Sequence, residues 1–171
     1  MGRFVTALLT CLALIVGAAP ALADTAVPAG AAPIPAGPAE AWLVADLDSG
    51  SVIAAQNEYG RYAPASTIKV LLALTALDEL PLDATVVANE ADAKVECNCA
   101  GVTPGFTYTT HQLLEGLLLV SGNDAANTLA TMLGGRDAAI AKMNAKAVSV
   151  GATATTAGSP SGLDGPGIDV W

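Results

Sequence analysis

Residues 66–80 constrain the fold more than any other segment of this chain. They predict one helix, and the run VLLAL at positions 70–74 makes that helix apolar on nearly every side. A helix without a polar face has to be covered by other elements, so we expect it to lie buried in the centre of a domain. Pro81 ends the helix, because proline lacks the backbone N–H that a helix interior requires.

The rest of the folded part is a mixture of strands and helices. Residues 41–47 and 51–56 flank a turn at 48–50, which predicts a β-hairpin. Residues 82–102 are predicted to be irregular, with short extended pieces such as 85–87. Further helices are predicted over about residues 111–120, 124–133 and 137–150. The sequence therefore indicates the α/β class in its α+β form, with the hairpin as the only evident part of a sheet.

The first 40 residues have a different character. Arg3, an apolar run over 4–19 and the small-residue pattern at 21–23 predict a signal peptide cleaved after Ala23. The alternative, an uncleaved membrane anchor, needs about 20 strongly apolar residues, whereas Thr, Gly and Ala dilute this run. Residues 24–40 contain four prolines and predict an extended Pro/Ala-rich linker. We expect an exported protein, in the periplasm or cell wall, whose domain covers 41–171.

Composition excludes two broad classes of protein. Hydrophobic residues make up 53% of the chain and charged residues 13%, which is not the composition of a disordered acidic chain. The net charge of −9 gives no basic surface for a nucleic acid, and aromatic residues, at 4%, are too few for base stacking. We therefore expect no nucleic-acid partner.

Ser66 and Lys69 are the first candidates for chemistry. Three residues apart at the start of a helix, their side chains share one face and can form a hydrogen bond. Burial would lower the pKa of the Lys69 amine, so that it could accept the Ser66 proton for an acyl transfer. The alternative is structural: Ser66 is a helix N-cap and Lys69 points at solvent.

The tripeptide Ser121-Gly122-Asn123 separates two predicted helices. As a functional motif it offers a hydroxyl to relay protons and an amide to hold a substrate amide. As a structural motif it is a helix break, with Gly122 as C-cap and Asn123 or Asp124 as the next N-cap.

Cys97 and Cys99 permit three interpretations. In an oxidising compartment they form a tight disulfide, and otherwise they are two free thiols. The third interpretation is zinc with His111 as a further ligand, but a structural zinc site needs four ligands. We expect His111 to be a surface residue in the first turn of its helix.

Two segments in this order resemble the serine D-alanyl-D-alanine carboxypeptidases, the low-molecular-mass penicillin-binding proteins related to serine β-lactamases. That family uses S-x-x-K, then S-x-N, then K-T-G. APASTIK at 63–69 resembles the first motif and LVSGNDAA at 119–126 the second, while TPG at 103–105 and SGLDG at 161–165 are also similar to family segments. The resemblance covers about residues 39–167. It implies a β-lactamase/transpeptidase-like fold, a helical cluster packed on an antiparallel sheet.

The resemblance also implies roles for single residues. Ser66 would attack the carbonyl of the penultimate D-Ala in a peptidoglycan stem peptide, with Lys69 as the general base. Ser121 would relay the proton to the leaving D-Ala, and Asn123 would position the substrate. β-Lactams would act as acylating inhibitors, and neither a metal nor an organic cofactor is implied.

The sequence departs from the family pattern at the third motif. It contains no K-T-G, since the lysines after Ser121 are Lys142 and Lys146 in other contexts. We therefore expect a chain truncated before that motif, which leaves a non-catalytic remnant as the first alternative function. A β-lactamase-like hydrolase is the second, although Gly122 replaces the Asp of S-D-N and no Glu follows Glu115.

Overall fold

The computed structural model describes residues 37–163, which divide after Gly60 into two compact units. In the first unit, β1 (Trp42–Ala45) and β2 (Val52–Gln56) pair antiparallel and confirm the predicted hairpin. The turn between them is closed by the Asp46 carboxylate, which accepts hydrogen bonds from the backbone N–H and hydroxyl of Ser49. The predicted signal peptide and residues 24–36 of the linker lie outside the described residues.

In the second unit, the predicted helix over 66–80 is present. A 3₁₀ turn (Ala65–Ile68) runs directly into α1 (Lys69–Glu79). The expectation that this helix is buried on every side is wrong. Leu72 and Ala76 face the core, whereas the exposed apolar residues of α1 are Val70, Leu74 and Leu77. The described elements of this unit cover one side of α1, so an apolar sequence does not by itself establish burial all round.

Three further helices of 10 to 14 residues form the core together with α1. They are α3 (Thr110–Leu119), α4 (Asn123–Met132) and α5 (Arg136–Ser149), within about a residue of the predicted bounds. Thr109 caps α3 through a reciprocal pair of hydrogen bonds with Gln112, the arrangement that fixes a helix start. The largest fully buried apolar side chains in the core are Leu72, Leu113, Leu117, Leu129 and Met143.

The segment between α1 and α3 has more structure than predicted. β3 (Thr85–Val87) pairs antiparallel with β4 (Thr107–Thr109), and the short helix α2 (Glu90–Ala93) lies between them in sequence. Asn89 caps α2 by accepting a hydrogen bond from the Asp92 backbone N–H. The extended piece predicted at 85–87 is confirmed as β3. Its pairing with β4 and the helix α2 are not predicted, because each strand has only three residues and its partner is distant in sequence.

The described residues thus combine helices with small antiparallel sheets, as the α+β prediction requires. Between residues 37 and 163, no helix is both long enough and apolar enough to cross a membrane.

Candidate active site

The turn that carries Ser66 has an unusual backbone. Ala65 has a φ of 46°, in the left-handed region that costs an alanine roughly 1–2 kcal/mol. Gly162 lies against this turn, and a Cβ atom there would be 1.9 Å from the Ala65 carbonyl oxygen. Since no side chain fits at that distance, glycine at 162 lets its segment support the turn on which the exposed Ser66 sits.

Lys69 brings the four predicted site residues together. Its Nζ donates to the Ser66 Oγ at 2.8 Å, to the Asn123 Oδ1 at 2.7 Å and to the Ser121 Oγ at 3.3 Å. The side chain is not directed to solvent, because only 2% of Lys69 is exposed. The structural alternative for S-x-x-K, an N-cap serine with a solvated lysine, therefore does not describe this site.

The surroundings of Lys69 shift its amine toward the neutral form. Burial lowers the pKa of the Lys69 amine below its ordinary value, because removal from water penalises the charged form. Its three hydrogen-bond acceptors are two hydroxyls and an amide, all uncharged. Once the amine has lost one of its three protons, it can accept a proton from the Ser66 hydroxyl 2.8 Å away.

Ser121 and Asn123 are placed by the break between α3 and α4. Ser121 has a φ of 57°, and this left-handed conformation separates the two helices. The structural prediction for the capping residues is wrong, since Val120 is the C-cap of α3 and Gly122 is the N-cap of α4. Asn123 is instead the first residue of α4 and is 4% exposed. Its Nδ2 donates to the Glu96 carbonyl oxygen at 2.6 Å.

Asp124 is a site-adjacent residue that the sequence interpretation missed. Its buried carboxylate accepts 2.8 Å hydrogen bonds from the backbone N–H groups of Ala100, Gly101, Val102 and Ala125. Burial by itself raises the pKa of Asp124, but these four donors outweigh burial and hold the pKa below its ordinary value. An acidic residue at a helix start was the available signal, but the segment that donates to it could not be identified from spacing.

The two cysteines form a disulfide, which was the first of their three interpretations. Because the sulfurs are bonded to each other, neither is available as a zinc ligand. His111 is exposed, as predicted, and its Nδ1 lies 3.9 Å from the Glu115 carboxylate. Within residues 37–163 there is no group of three or more His, Cys, Asp or Glu side chains placed to hold a metal ion.

Comparison with known proteins gives a family match. Residues 29–169 match the model of the peptidase S11 family, described as D-alanyl-D-alanine carboxypeptidase. D-alanyl-D-alanine carboxypeptidase DacB2 of Mycobacterium tuberculosis is 68% identical over 140 residues, which cover 82% of this chain and 48% of the relative. DacF of Bacillus subtilis, with the same description, is 31% identical over 131 residues, covering 73% of this chain and 34% of DacF.

Solved structures give the same result for the fold. A D-alanyl-D-alanine carboxypeptidase from M. tuberculosis H37Rv superposes with a TM-score of 0.80 at 66% identity, covering 84% of this chain and 54% of that one. A mutant of the Streptomyces K15 DD-transpeptidase superposes with a TM-score of 0.74 at 29% identity, covering 80% and 57%. These matches confirm the transpeptidase-like fold class. The chain spans between about a third and just over half of the length of these relatives.

Proposed function

We propose, on the premise that this chain belongs to the peptidase S11 family of D-alanyl-D-alanine carboxypeptidases, that it acts as a serine-type D-Ala-D-Ala carboxypeptidase. Its substrate would be a peptidoglycan stem peptide, from which it removes the terminal D-alanine. The observation that carries this proposal is the hydrogen bond from the buried Lys69 Nζ to the exposed Ser66 Oγ, at 2.8 Å.

The proposed reaction has two stages. In the first, Ser66 Oγ forms a bond to the penultimate D-Ala carbonyl carbon while neutral Lys69 takes the hydroxyl proton. The C–N bond to the terminal D-Ala then breaks, and the leaving amine receives a proton relayed through Ser121. In the second stage, water attacks the acyl carbon, the ester bond to Ser66 Oγ breaks, and a proton from the water returns to Ser66 as the shortened peptide leaves. The 3.3 Å distance between Lys69 Nζ and Ser121 Oγ supports this relay.

Two observations support a positioning role for Asn123. Its Oδ1 accepts from Lys69 Nζ at 2.7 Å, which orients the amine between the two serines. Its position beside Ser121 also supports the role that the resemblance implies, placement of the substrate amide. β-Lactams would acylate Ser66 in place of the peptide.

The location of the protein is part of the proposal. Residues 1–23 would be a signal peptide, 24–40 a linker and 41–171 a partial carboxypeptidase domain. The protein would be exported to the periplasm or cell wall, and an uncleaved signal would tether it to the membrane. Family membership supports this location, since the stem peptide lies outside the cytoplasm.

The direct test is covalent labelling by benzylpenicillin. The purified chain is incubated with the β-lactam and its intact mass is recorded beside Ser66→Ala and a control, Ser51→Ala, which removes an exposed hairpin hydroxyl. We expect one penicilloyl adduct on the unmodified chain and on Ser51→Ala, and none on Ser66→Ala. A folded chain that acquires no adduct contradicts the proposal and favours a non-catalytic role. Rapid release of the adduct would indicate the β-lactamase-like alternative.

A further inference from the structure

The segment after α2 makes contacts to Asn123 that the reaction above does not use. The Glu96 carbonyl oxygen accepts from the Asn123 side chain at 2.6 Å, and the Asn98 carbonyl oxygen accepts from the Asn123 backbone N–H at 2.8 Å. The Asn98 side chain donates in turn to the Val120 carbonyl oxygen at 2.8 Å. One short segment therefore holds both the backbone and the side chain of Asn123.

The disulfide lies at the same place. Cys97 and Cys99 are bonded with one residue between them, so the ring that they close contains Asn98, and Glu96 adjoins it. Both carbonyl groups that meet Asn123 thus belong to peptide units inside or next to this ring. Since Cys97 is exposed, a small thiol in solution can reach the bond.

The other half of the segment is anchored independently. The Asp124 carboxylate binds the backbone N–H groups of Ala100, Gly101 and Val102, each at 2.8 Å. These contacts do not involve the cysteines. Opening the disulfide should therefore loosen the peptide units around Asn98, which keep their hydrogen bonds to Val120 and Asn123, while residues 100–102 stay in place. A three-residue ring also adds little loop entropy to global stability, so the effect is expected to be local.

We propose that the Cys97–Cys99 disulfide is a positioning element of the site. It fixes the carbonyl groups of Glu96 and Asn98, these fix Asn123, and Asn123 orients Lys69. The consequence for acylation rests on the proposed function, whereas the consequence for Asn123 does not. The site is then sensitive to dithiols through a bond that takes no part in the reaction.

The switching reaction is ordinary thiol–disulfide exchange. One thiolate of a dithiol attacks a cysteine sulfur, the S–S bond of the protein breaks, and a mixed disulfide forms. The second thiol closes the reagent into its own disulfide and releases both cysteines as thiols. Two electrons and two protons pass from the dithiol to the protein, and reoxidation reverses the change.

The experiment uses the full chain carrying Cys11→Ser, so that Cys97 and Cys99 are its remaining cysteines. Dithiothreitol opens the disulfide, and a Cys97→Ser/Cys99→Ser variant is the matched control that the reagent cannot change. The side-chain NH₂ signals of Asn123 report its position by NMR, and benzylpenicillin reports acylation. We expect the Asn123 signals to shift and acylation to slow by roughly 10- to 100-fold, the scale of a small misplacement in a site.

The two readouts separate this proposal from the proposed function. Unchanged Asn123 signals after complete reduction overturn the positioning role, whatever acylation does. Shifted signals in a chain that is acylated at the same rate before and after reduction also overturn it. Shifted signals in a chain that is never acylated support the positioning role and count against the carboxypeptidase. Because one arm uses the chain with its cysteines intact, a failure of the double variant to fold leaves the test decisive.

Discussion

At the scale of single residues, the proposed reaction requires that the Lys69 amine can lose a proton. Lys69→Arg keeps a positive charge but places there a guanidinium that stays protonated. We expect its acylation rate by benzylpenicillin to fall about 10²- to 10⁴-fold, the usual contribution of a general base. Lys94→Arg is the matched control, because Lys94 is an exposed lysine paired with Glu90 on the surface of α2. An arginine variant that acylates at the original rate would exclude Lys69 as the base.

The lowered pKa of Lys69 also predicts how the site responds to pH. Burial lowers the pKa of Lys69, so acylation should rise as pH increases, with an inflection below the ordinary lysine value of about 10.4. In the window between the two values the unfolded chain holds the extra proton, so the free energy of unfolding should also rise with pH there. A pH series of acylation rates and urea midpoints measures both. A rate that rises only above the ordinary value would contradict the lowered pKa.

The spacing of two site residues in the sequence made part of the site predictable. Ser66 and Lys69 are three residues apart on one helix, so their hydrogen bond follows from local geometry. The hydrogen bond from Asn123 to the Glu96 carbonyl joins residues 27 positions apart, and neither sequence neighbourhood indicates the other. The anchoring role of Asp124 was missed for the same reason.

At the scale of elements, the contact between residues 159–162 and the 3₁₀ turn should be sensitive to a single methyl group. Gly162 and Gly151 have nearly equal φ values of 82° and 84°, but only Gly162 has the Ala65 carbonyl where a Cβ would lie. Both alanine variants should lose about 1–2 kcal/mol of unfolding free energy from the left-handed backbone. Gly162→Ala should lose roughly 1–3 kcal/mol more from overpacking.

Urea unfolding of the two variants separates strain from contact. Benzylpenicillin labelling then shows whether the turn carrying Ser66 has moved, and we expect slower labelling for Gly162→Ala alone. Equal losses of stability in the two variants would mean that the close approach to Ala65 has no energetic consequence.

Elements with their own local signals were predicted, whereas pairings between distant segments were not. α3 has a capping box at Thr109, and α5 ends before Gly151, so their bounds follow from the sequence. The extended piece predicted at 85–87 is β3, but its partner β4 lies about 20 positions later, so its own segment does not identify the pairing. Which side of α1 is exposed depends on the elements around the helix, so the composition of the helix does not predict it.

At the scale of the whole molecule, the two units differ in what stabilises them. The helical unit buries a continuous apolar cluster that includes Leu72, Leu117 and Leu129. In the hairpin, most residues of β1 and β2 are exposed, with Ala54 as the one buried position of the two strands. A two-stranded hairpin has little stability of its own in water. We therefore expect the helical unit to unfold cooperatively and the hairpin to open more easily.

Hydrogen exchange followed by mass spectrometry tests this difference. Amides of β1 and β2 should exchange at least about tenfold faster than those of α1 and α4, because they open by local fraying whereas the core helices open only when the unit unfolds. Met143→Ala, which empties a fully buried position in α5, should cost about 2–5 kcal/mol and accelerate exchange in α1 and α4. It should leave the hairpin rates unchanged. Equal protection in both units, or a parallel change in the hairpin of the Met143 variant, would mean that the chain unfolds as one cooperative body.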